Sequence, residues 1–387
     1  MSAVDHPPRT ELERLIRERR KTLEEFGREA DRFAIEHGLR ATLSPRHLQR
    51  LASGRREDGR PVGPVRPATR TLLEKMLGRP IEELLGAPRK VNRSEPTDTA
   101  AELRARLRAS RALDASLVRA FQEQIDLARV IDRRLGGVGL LAELRQRIAQ
   151  MQSLLSYASS PDRRSELARV VVDACTLAAW LALDLGEVIE AWRLYDRART
   201  AARESESLAL EAYACAGQST VLIDIGESAA ALELADYAAS MARNAAPRLL
   251  RSWLAGAYGE ACAADGQQTT SLRAFDEAAC LISDGTDPKE APYLVFDAVH
   301  LARWRGNALA RLGDRKAVSV LCRALDRLDP SFTRAEAAMR VDLARALSAV
   351  GEIEAATMHA NRALTLALQI GSVRHQKRLS RLSTDWE

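Results

Sequence analysis

Apolar positions between residues 165 and 371 recur at helical spacing and are interrupted by glycines at regular intervals. Each unit has the pattern of a helix, a short turn that contains glycine, and a second helix. The turn glycines lie 40, 40, 47 and 38 residues apart and are Gly186, Gly226, Gly266, Gly313 and Gly351. Glycine at such a turn can adopt the left-handed conformation that ends a helix. The pattern favours an array of helix pairs over the alternative of a generic helical bundle.

Small and bulky residues also hold fixed positions around these glycines. Seven residues before each one stand Ala179, Ser219, Gly259, Gly306 and Ala344. On the second helices, one equivalent position holds Tyr195, Phe275 and Leu321. Small residues let antiparallel helices approach closely, and the larger side chains fill the gaps. This register resembles the tetratricopeptide repeat, although the units exceed the family's usual length of about 34 residues. An insertion around Asp284–Tyr293 lengthens the third connection.

The tetratricopeptide resemblance implies a right-handed α-solenoid whose first helices line a concave surface for a peptide or protein effector. Apart from Ala338, the residues thirteen and six positions before the turn glycines are aromatic or polar, and Arg303 lies between two of them on the fourth unit. Asn can pair with a peptide backbone, Arg with a carboxylate, and rings with apolar side chains. The predicted ligand-binding residues are Tyr213, Trp253, Glu260, His300, Arg303, Asn307 and Arg345. The alternative, in which Trp180, Tyr213 and Trp253 simply pack between neighbouring repeats, stays open.

Upstream of the repeats, residues 100–162 form two amphipathic stretches. The helices predicted there are Ala100–Leu135 and Leu140–Tyr157, joined at Gly136-Gly137. We expect this pair to cap an otherwise exposed apolar face of the repeat domain, residues 163–387. Residues 91–99 are predicted to be a linker.

Residues 1–90 have a different pattern, in which short apolar groups are separated by helix-capping residues. Thr22 is typical of an N-cap, and Ser44-Pro45 places a capping serine before a proline in the first turn. Gly54 is predicted to end that helix. Together with helices that begin near Thr10, Pro67 and Pro80, the pattern predicts five short helices.

The segment Ser44–Gly54 resembles the recognition helix of phage-repressor-type (XRE) helix-turn-helix proteins, with Leu48 and Leu51 turned to the core. The connection between Ala30 and Ser44 is about half a dozen residues longer than that family's tight turn. Arg and Gln can make paired hydrogen bonds to base edges, and further arginines can bind phosphates or enter a minor groove. The predicted DNA-binding residues are Arg46, His47, Gln49, Arg50, Arg55, Arg56 and Arg60.

The net charge of residues 1–90 also differs from that of the rest of the chain. Residues 1–90 hold 20 Lys+Arg and 14 Asp+Glu, a net +6, and the rest holds 58 − 20 = 38 basic and 53 − 14 = 39 acidic residues, a net −1. The excess favours a polyanionic partner for the N-terminal region. Two alternatives stay open: a solvated Arg-rich face, and a helical docking module that does not bind DNA.

The combination of the two regions resembles the peptide-responsive regulators of Gram-positive bacteria (the RRNPP type), and the Arg- and Ala-rich composition is typical of actinobacterial proteins. The resemblance implies a homodimer that binds duplex DNA and responds to a peptide or protein effector. We expect the dimer contact on Ala100–Leu135 or near Leu364–Leu382. The alternative function is a protein-interaction adaptor whose N-terminal module binds no DNA.

Other functions lack sequence support. No nucleotide-binding, nucleophile-elbow or zinc-protease motif occurs, and the six histidines are not at metal-ligand spacing. We therefore expect no enzyme activity, no cofactor and no metal. Five dispersed cysteines in apolar stretches are predicted to be buried and reduced. With no signal peptide and no membrane-spanning run, we expect a cytoplasmic protein without a membrane partner.

Overall fold

The computed structural model describes residues 8–19, 21–39, 41–55, 60, 62–88, 99–283, 287 and 291–383. Regular secondary structure in these ranges is α-helical, as predicted. The chain divides into two compact units, Met1–Ala101 and Glu102–Glu387. No described helix is long and apolar enough to cross a membrane.

The first unit contains the five predicted helices, and their bounds follow from local capping. They are α1 (Glu11–Glu18), α2 (Leu23–Glu36), α3 (Pro45–Ser53), α4 (Pro67–Leu77) and α5 (Ile81–Leu85). Thr22 and Glu25 form a reciprocal capping box at the start of α2. Ser44 caps α3 by accepting a hydrogen bond from the backbone N–H of His47, and Gly54 ends α3 in the left-handed conformation.

The core of this unit is built from one apolar face of each helix. Its fully buried members include Leu12, Phe26, Leu48, Leu72 and Leu84, one from each of α1 to α5. Leu51 is also fully buried, so both leucines predicted to anchor α3 lie in the core. The opposite face of α3 is therefore held outward by packing.

The second unit is an array of antiparallel helix pairs. Its helices are α6 (Thr99–Arg111), α7 (Ala115–Leu135), α8 (Leu140–Tyr157), α9 (Pro161–Asp184), α10 (Val188–Glu204), α11 (Leu208–Ile225), α12 (Ser228–Ala242), α13 (Arg248–Ala264), α14 (Gln268–Ser283), α15 (Ala298–Arg311), α16 (Lys316–Asp326), α17 (Thr333–Ala349), α18 (Ile353–Gln369) and α19 (Val373–Ser383). Five pairs, from α9–α10 to α17–α18, pack together along their length. All five predicted turn glycines have positive φ.

The small and bulky positions of the repeat pack against each other as the sequence register predicts. A Cβ atom at Gly259 would lie 2.8 Å from Cε2 of Phe275, and one at Gly306 would lie 2.4 Å from Cδ2 of Leu321. The third bulky residue, Tyr195, instead packs across to the next helix pair, on Gly217 of α11, which is outside the predicted register. Each close approach requires the absence of a side chain on the facing helix.

Two details of the prediction are wrong. The single helix Ala100–Leu135 is broken, because Asp114 accepts a hydrogen bond of 2.9 Å from the backbone N–H of Leu117 and so caps a new helix, α7. Three cysteines are buried, but Cys280 is exposed and Cys322 is half-buried. Most of the insertion around Asp284–Tyr293 lies outside the described residues.

The array closes on itself. Helix α19 packs on α9, and α17 packs on α7. The Ser372 hydroxyl donates to the Asp184 carboxylate at 2.7 Å, and Arg374 donates to Asp224 at 2.7 Å. These contacts join residues 188 and 150 positions apart in the chain. The inner faces of the first helices therefore line a cavity that is partly open to solvent.

Candidate functional site

The cavity within the closed array has a volume of about 280 Å³. Six of the seven residues predicted to bind a ligand line it: Tyr213, Trp253, Glu260, His300, Arg303 and Asn307. The seventh, Arg345, is exposed on α17 and is not among the lining residues. The cavity thus brings together side chains from α11, α13 and α15 that are up to 94 positions apart, between 213 and 307.

The repeat register places these side chains. Thirteen residues before the turn glycine, four of five helices direct a residue into the cavity: Tyr213, Trp253, His300 and Ala338. Six residues before it, four of five do so again: Trp180, Thr220, Glu260 and Asn307. Positions seven residues apart are separated by almost two helical turns, so both lie on one face of each first helix.

One wall of the cavity is aromatic. The rings of Tyr213 and Trp253 are 5.0 Å apart, those of Tyr213 and Tyr293 are 4.9 Å apart, and those of Trp253 and Trp304 are 5.6 Å apart. These centroid distances are typical of edge-to-face and tilted aromatic pairs. The sequence left open whether Tyr213 and Trp253 bind a ligand or pack between neighbouring repeats. In the structure they pack between neighbouring repeats and also face the cavity.

The rest of the lining is rich in charge, and most of the arginines have a carboxylate partner. Four ion pairs join Arg129 to Asp173, Arg334 to Asp132, Arg374 to Asp224, and Arg378 to Asp342. Asn307 also donates to Asp342, at 2.7 Å. These pairs tie α7, α17 and α19 to their neighbours, so the same contacts close the array and shape the cavity.

Arg303, Arg311 and Glu260 are not part of these ion pairs. In the described part of the chain Arg303 has no hydrogen-bond or ion-pair partner, and its Nε atom is buried. Arg311 donates only to the side-chain oxygen of Asn307, at 3.2 Å. Burial lowers the pKa of both guanidinium groups. Burial also raises the pKa of Glu260 to about 7, although Arg311 and Arg303 act in the opposite direction.

His300 is held by its own helix end. Its Nδ1 atom lies 2.8 Å from the carboxylate of Asp297, the residue that caps α15, and its ring packs on Phe332 at 5.1 Å. This arrangement fixes the imidazole in the cavity wall. It suits a packing surface for a ligand better than a mobile acid or base.

Several lining residues were missed from the sequence. Trp304 and Arg311 lie on α15 at helical spacing from His300 and Asn307, so the same periodicity contained a signal for them. Helix α7 contributes Arg129 and Asp132, and α19 contributes Arg374, His375 and Arg378. These residues lie outside the repeat register, and only the closure of the array brings them to the cavity.

The second candidate surface is α3 in the N-terminal unit. Arg46, Gln49 and Arg50 are exposed on it, and His47 is half-buried. The Nη2 atom of Arg50 lies 3.3 Å from Nδ1 of His47. Arg55 and Arg60 are exposed as well, whereas Arg56 lies outside the described residues. Paired donors and acceptors on one exposed helix face are suited to reading base edges.

Local contacts fix the position of α3 against α2. The backbone N–H of Leu43 donates to Asp31 at 2.9 Å, which anchors the connection just before α3. A Cβ atom at Gly27 would lie 3.1 Å from the carbonyl oxygen of Leu43. A glycine on α2 therefore allows this close approach. The connection itself spans residues 37–44 between the two helices.

Comparisons with known proteins match this chain to solved structures but not to a protein family. No protein-family model matches it, and no curated protein does. It is similar to solved structures of helical-repeat proteins. One is a Podosopora anserina putative kinesin light chain with TPR-like repeats, at 14% identity over 54% of this chain and 96% of that chain, with a TM-score of 0.34. Another is a Rap protein complexed with Competence and Sporulation Factor, at 15% identity over 96% and 97%, with a TM-score of 0.45.

Proposed function

We propose that the protein is a DNA-binding transcription regulator whose repeat domain binds a peptide or protein effector that controls DNA binding. The observation that carries the proposal is the cavity of the repeat array, in which an aromatic wall lies beside two arginines without carboxylate partners. A concave site with apolar walls and a few convergent polar groups is the usual form of a ligand site.

The N-terminal unit supplies the DNA-binding part of the proposal. Arg46 and Gln49 project from a helix that its buried leucines hold in place, so each presents paired hydrogen-bonding groups to solvent. Arg55 and Arg60 follow the helix and are exposed where phosphates would be reached. A basic, exposed face on a rigid small domain is suited to duplex DNA.

Closure of the array offers a physical route from effector to DNA. The cavity is lined by α7, which follows the N-terminal unit in the chain, and by α19 at the end of the array. An effector that contacts both would favour one arrangement of the closure over another. Such differential binding shifts a conformational equilibrium and thereby changes the affinity of the DNA-binding part.

We expect the regulator to be a homodimer. Leu127 and Leu135 on α7 are 60% and 68% exposed, and Leu368 on α18 is 60% exposed. A Cβ atom at Gly371 would lie 2.3 Å from Cγ2 of Val138, so the ends of α7 and α18 adjoin. Both regions predicted for the dimer contact therefore carry exposed leucines, which suits a self-complementary interface.

Light scattering of purified protein tests the dimer. We expect a dimer for the natural chain and a monomer when Leu127 and Leu135 are both changed to Lys. Ile189→Lys is the matched control, because Ile189 is 71% exposed but lies on α10. A monomeric natural chain, with and without DNA, would contradict the proposal.

A protein-interaction adaptor is the second candidate, and the long connection between α2 and α3 favours it. Selection of duplexes from a random library separates the two functions. For a regulator we expect one sequence to be enriched, and the enrichment to be lost when Arg46 and Gln49 are changed to Ala. For an adaptor, no duplex is enriched by either protein.

A further inference from the structure

We propose that the cavity selects a ligand that carries one anionic group next to an aromatic or apolar group, and that Arg303 and Arg311 hold the anion. The proposal rests on the proposed role of the cavity as the effector site and names the chemistry that this site accepts. The anion is a carboxylate, either at the end of a peptide or on a free organic acid.

The first line of support is the charge balance of the cavity. Each ion-paired arginine has at least one carboxylate partner, and Arg334 has two, Asp132 and Asp184. The lining arginines outside these ion pairs are Arg303, Arg311 and Arg133. Arg133 lies over the ring of Phe332, at 5.6 Å from its centroid. Glu260 is the lining carboxyl outside the ion pairs, and one carboxyl cannot neutralise two guanidinium groups.

The second line of support is the cost of leaving Arg303 without a partner. The Nε atom of Arg303 is buried, and a buried donor that lacks a partner loses hydration without gaining a hydrogen bond in return. A carboxylate between two arginines replaces that hydration with short, charge-assisted hydrogen bonds. The position of Arg303 therefore destabilises the empty protein and stabilises the complex, which is expected of a binding residue rather than of a structural one.

The third line of support is what lies next to the arginines. Trp304 follows Arg303 on α15 and packs edge-on against Trp253, at 5.6 Å. An apolar group next to the anion would meet this wall. At about 280 Å³ the cavity lies just below the range of roughly 300–1,000 Å³ typical of small-molecule sites. It therefore accommodates a small acid or the end of a peptide.

Tryptophan fluorescence provides the assay. Three of the five tryptophans, Trp180, Trp253 and Trp304, line the cavity, so occupancy changes the emission. The probes are 3-phenylpropionate and its neutral amide, and the dipeptide Ala-Phe with a free or an amidated C-terminus. They are titrated into the full-length protein at millimolar concentrations. If only 3-phenylpropionate binds, the carboxylate belongs to a free organic acid. If only the dipeptide binds, it belongs to the end of a peptide.

The decisive variant is Arg303→Met, compared with Arg305→Met on the same helix. Arg305 pairs with Asp276 at 2.7 Å and does not line the cavity. We expect at least one acid to bind the natural chain and Arg305→Met equally, and Arg303→Met to bind that acid roughly 10- to 100-fold more weakly. The amides should bind weakly to all three proteins. The ligand-free Arg303→Met protein should also unfold at a higher temperature than the natural chain, which excludes misfolding as the cause.

Three results would overturn the inference: equal binding of acid and amide, no binding of either acid to the natural chain, or unchanged acid binding by Arg303→Met. The assay contains no DNA, so failure of the duplex selection leaves its result unaffected. Equal binding of acid and amide would instead leave the regulator proposal standing with an uncharged effector.

Discussion

The arginines of the N-terminal unit and those of the repeat unit have opposite environments. Arg46 and Arg50 extend from α3 into solvent, whereas Arg303 and Arg311 line the cavity of the repeat unit, where partial burial lowers their pKa. An exposed arginine is screened by salt, and many such contacts together suit the phosphates of a long polyanion. A buried arginine is poorly screened, and it suits one anion held in a fixed geometry. The same residue type thus serves two kinds of partner.

The cavity that holds Arg303 and Arg311 depends on closure of the array. Breaking the closure should therefore cause the largest loss of stability. Gly136 has φ 83° and ψ −172°, a region available almost only to glycine, and a Cβ atom there would lie 2.1 Å from the carbonyl oxygen of Ile370. We expect Gly136→Ala to lower the free energy of unfolding by about 3 kcal/mol or more. Chemical denaturation measures the change.

Gly266→Ala is the control for that substitution. Gly266 has φ 77°, but a Cβ atom there would meet nothing within 4 Å. It should cost only about 1–2 kcal/mol, the penalty of the left-handed conformation. Equal losses in the two variants would show that contact with Ile370 does not matter to the fold.

The next largest effect concerns sequence recognition by α3. Changing Arg46 or Gln49 to Ala should remove about 1–3 kcal/mol of discrimination at one base pair of the selected duplex. Arg303→Met should leave discrimination unchanged, because its side chain lies in the repeat unit. Competition binding with single-base variants of the duplex gives these values. If the Arg46→Ala protein discriminates between the duplexes as well as the natural chain does, α3 is not the recognition helix.

A smaller effect is expected on the pH dependence of stability, through the cavity carboxyl of Glu260. Its pKa in the folded protein is about 7, against an ordinary value of 4.5, so the folded state binds its proton more tightly. This tighter proton binding contributes its full stabilisation of the folded state below pH 4.5, and the contribution is lost as the pH rises through 7. The ligand-free protein should therefore lose thermal stability over this range, and Glu260→Gln should lose less of it. Identical pH profiles of the two melting temperatures would contradict the assignment.

Local patterns predicted the first unit almost completely, because capping by Thr22, Ser44 and Gly54 depends on neighbouring residues alone. The repeat register likewise located most of the cavity, since it fixes the direction of each side chain around its helix. It could not show where the last helix meets the first. Arg345 is therefore exposed, while Arg378 of α19 pairs with Asp342 at the cavity wall. Sequence periodicity contains no information on such long-range closure.

The dependence of DNA affinity on salt tests the central contrast most directly. The logarithm of the binding constant falls with the logarithm of salt concentration by about 0.9 for each phosphate neutralised. The measurement compares the natural chain, Arg55→Ala and Arg303→Met on one duplex across a salt series. We predict a steep slope for the natural chain and for Arg303→Met, and a slope shallower by about 1 for Arg55→Ala. A slope near zero for the natural chain, or equal flattening by both variants, would contradict the division between exposed and buried arginines.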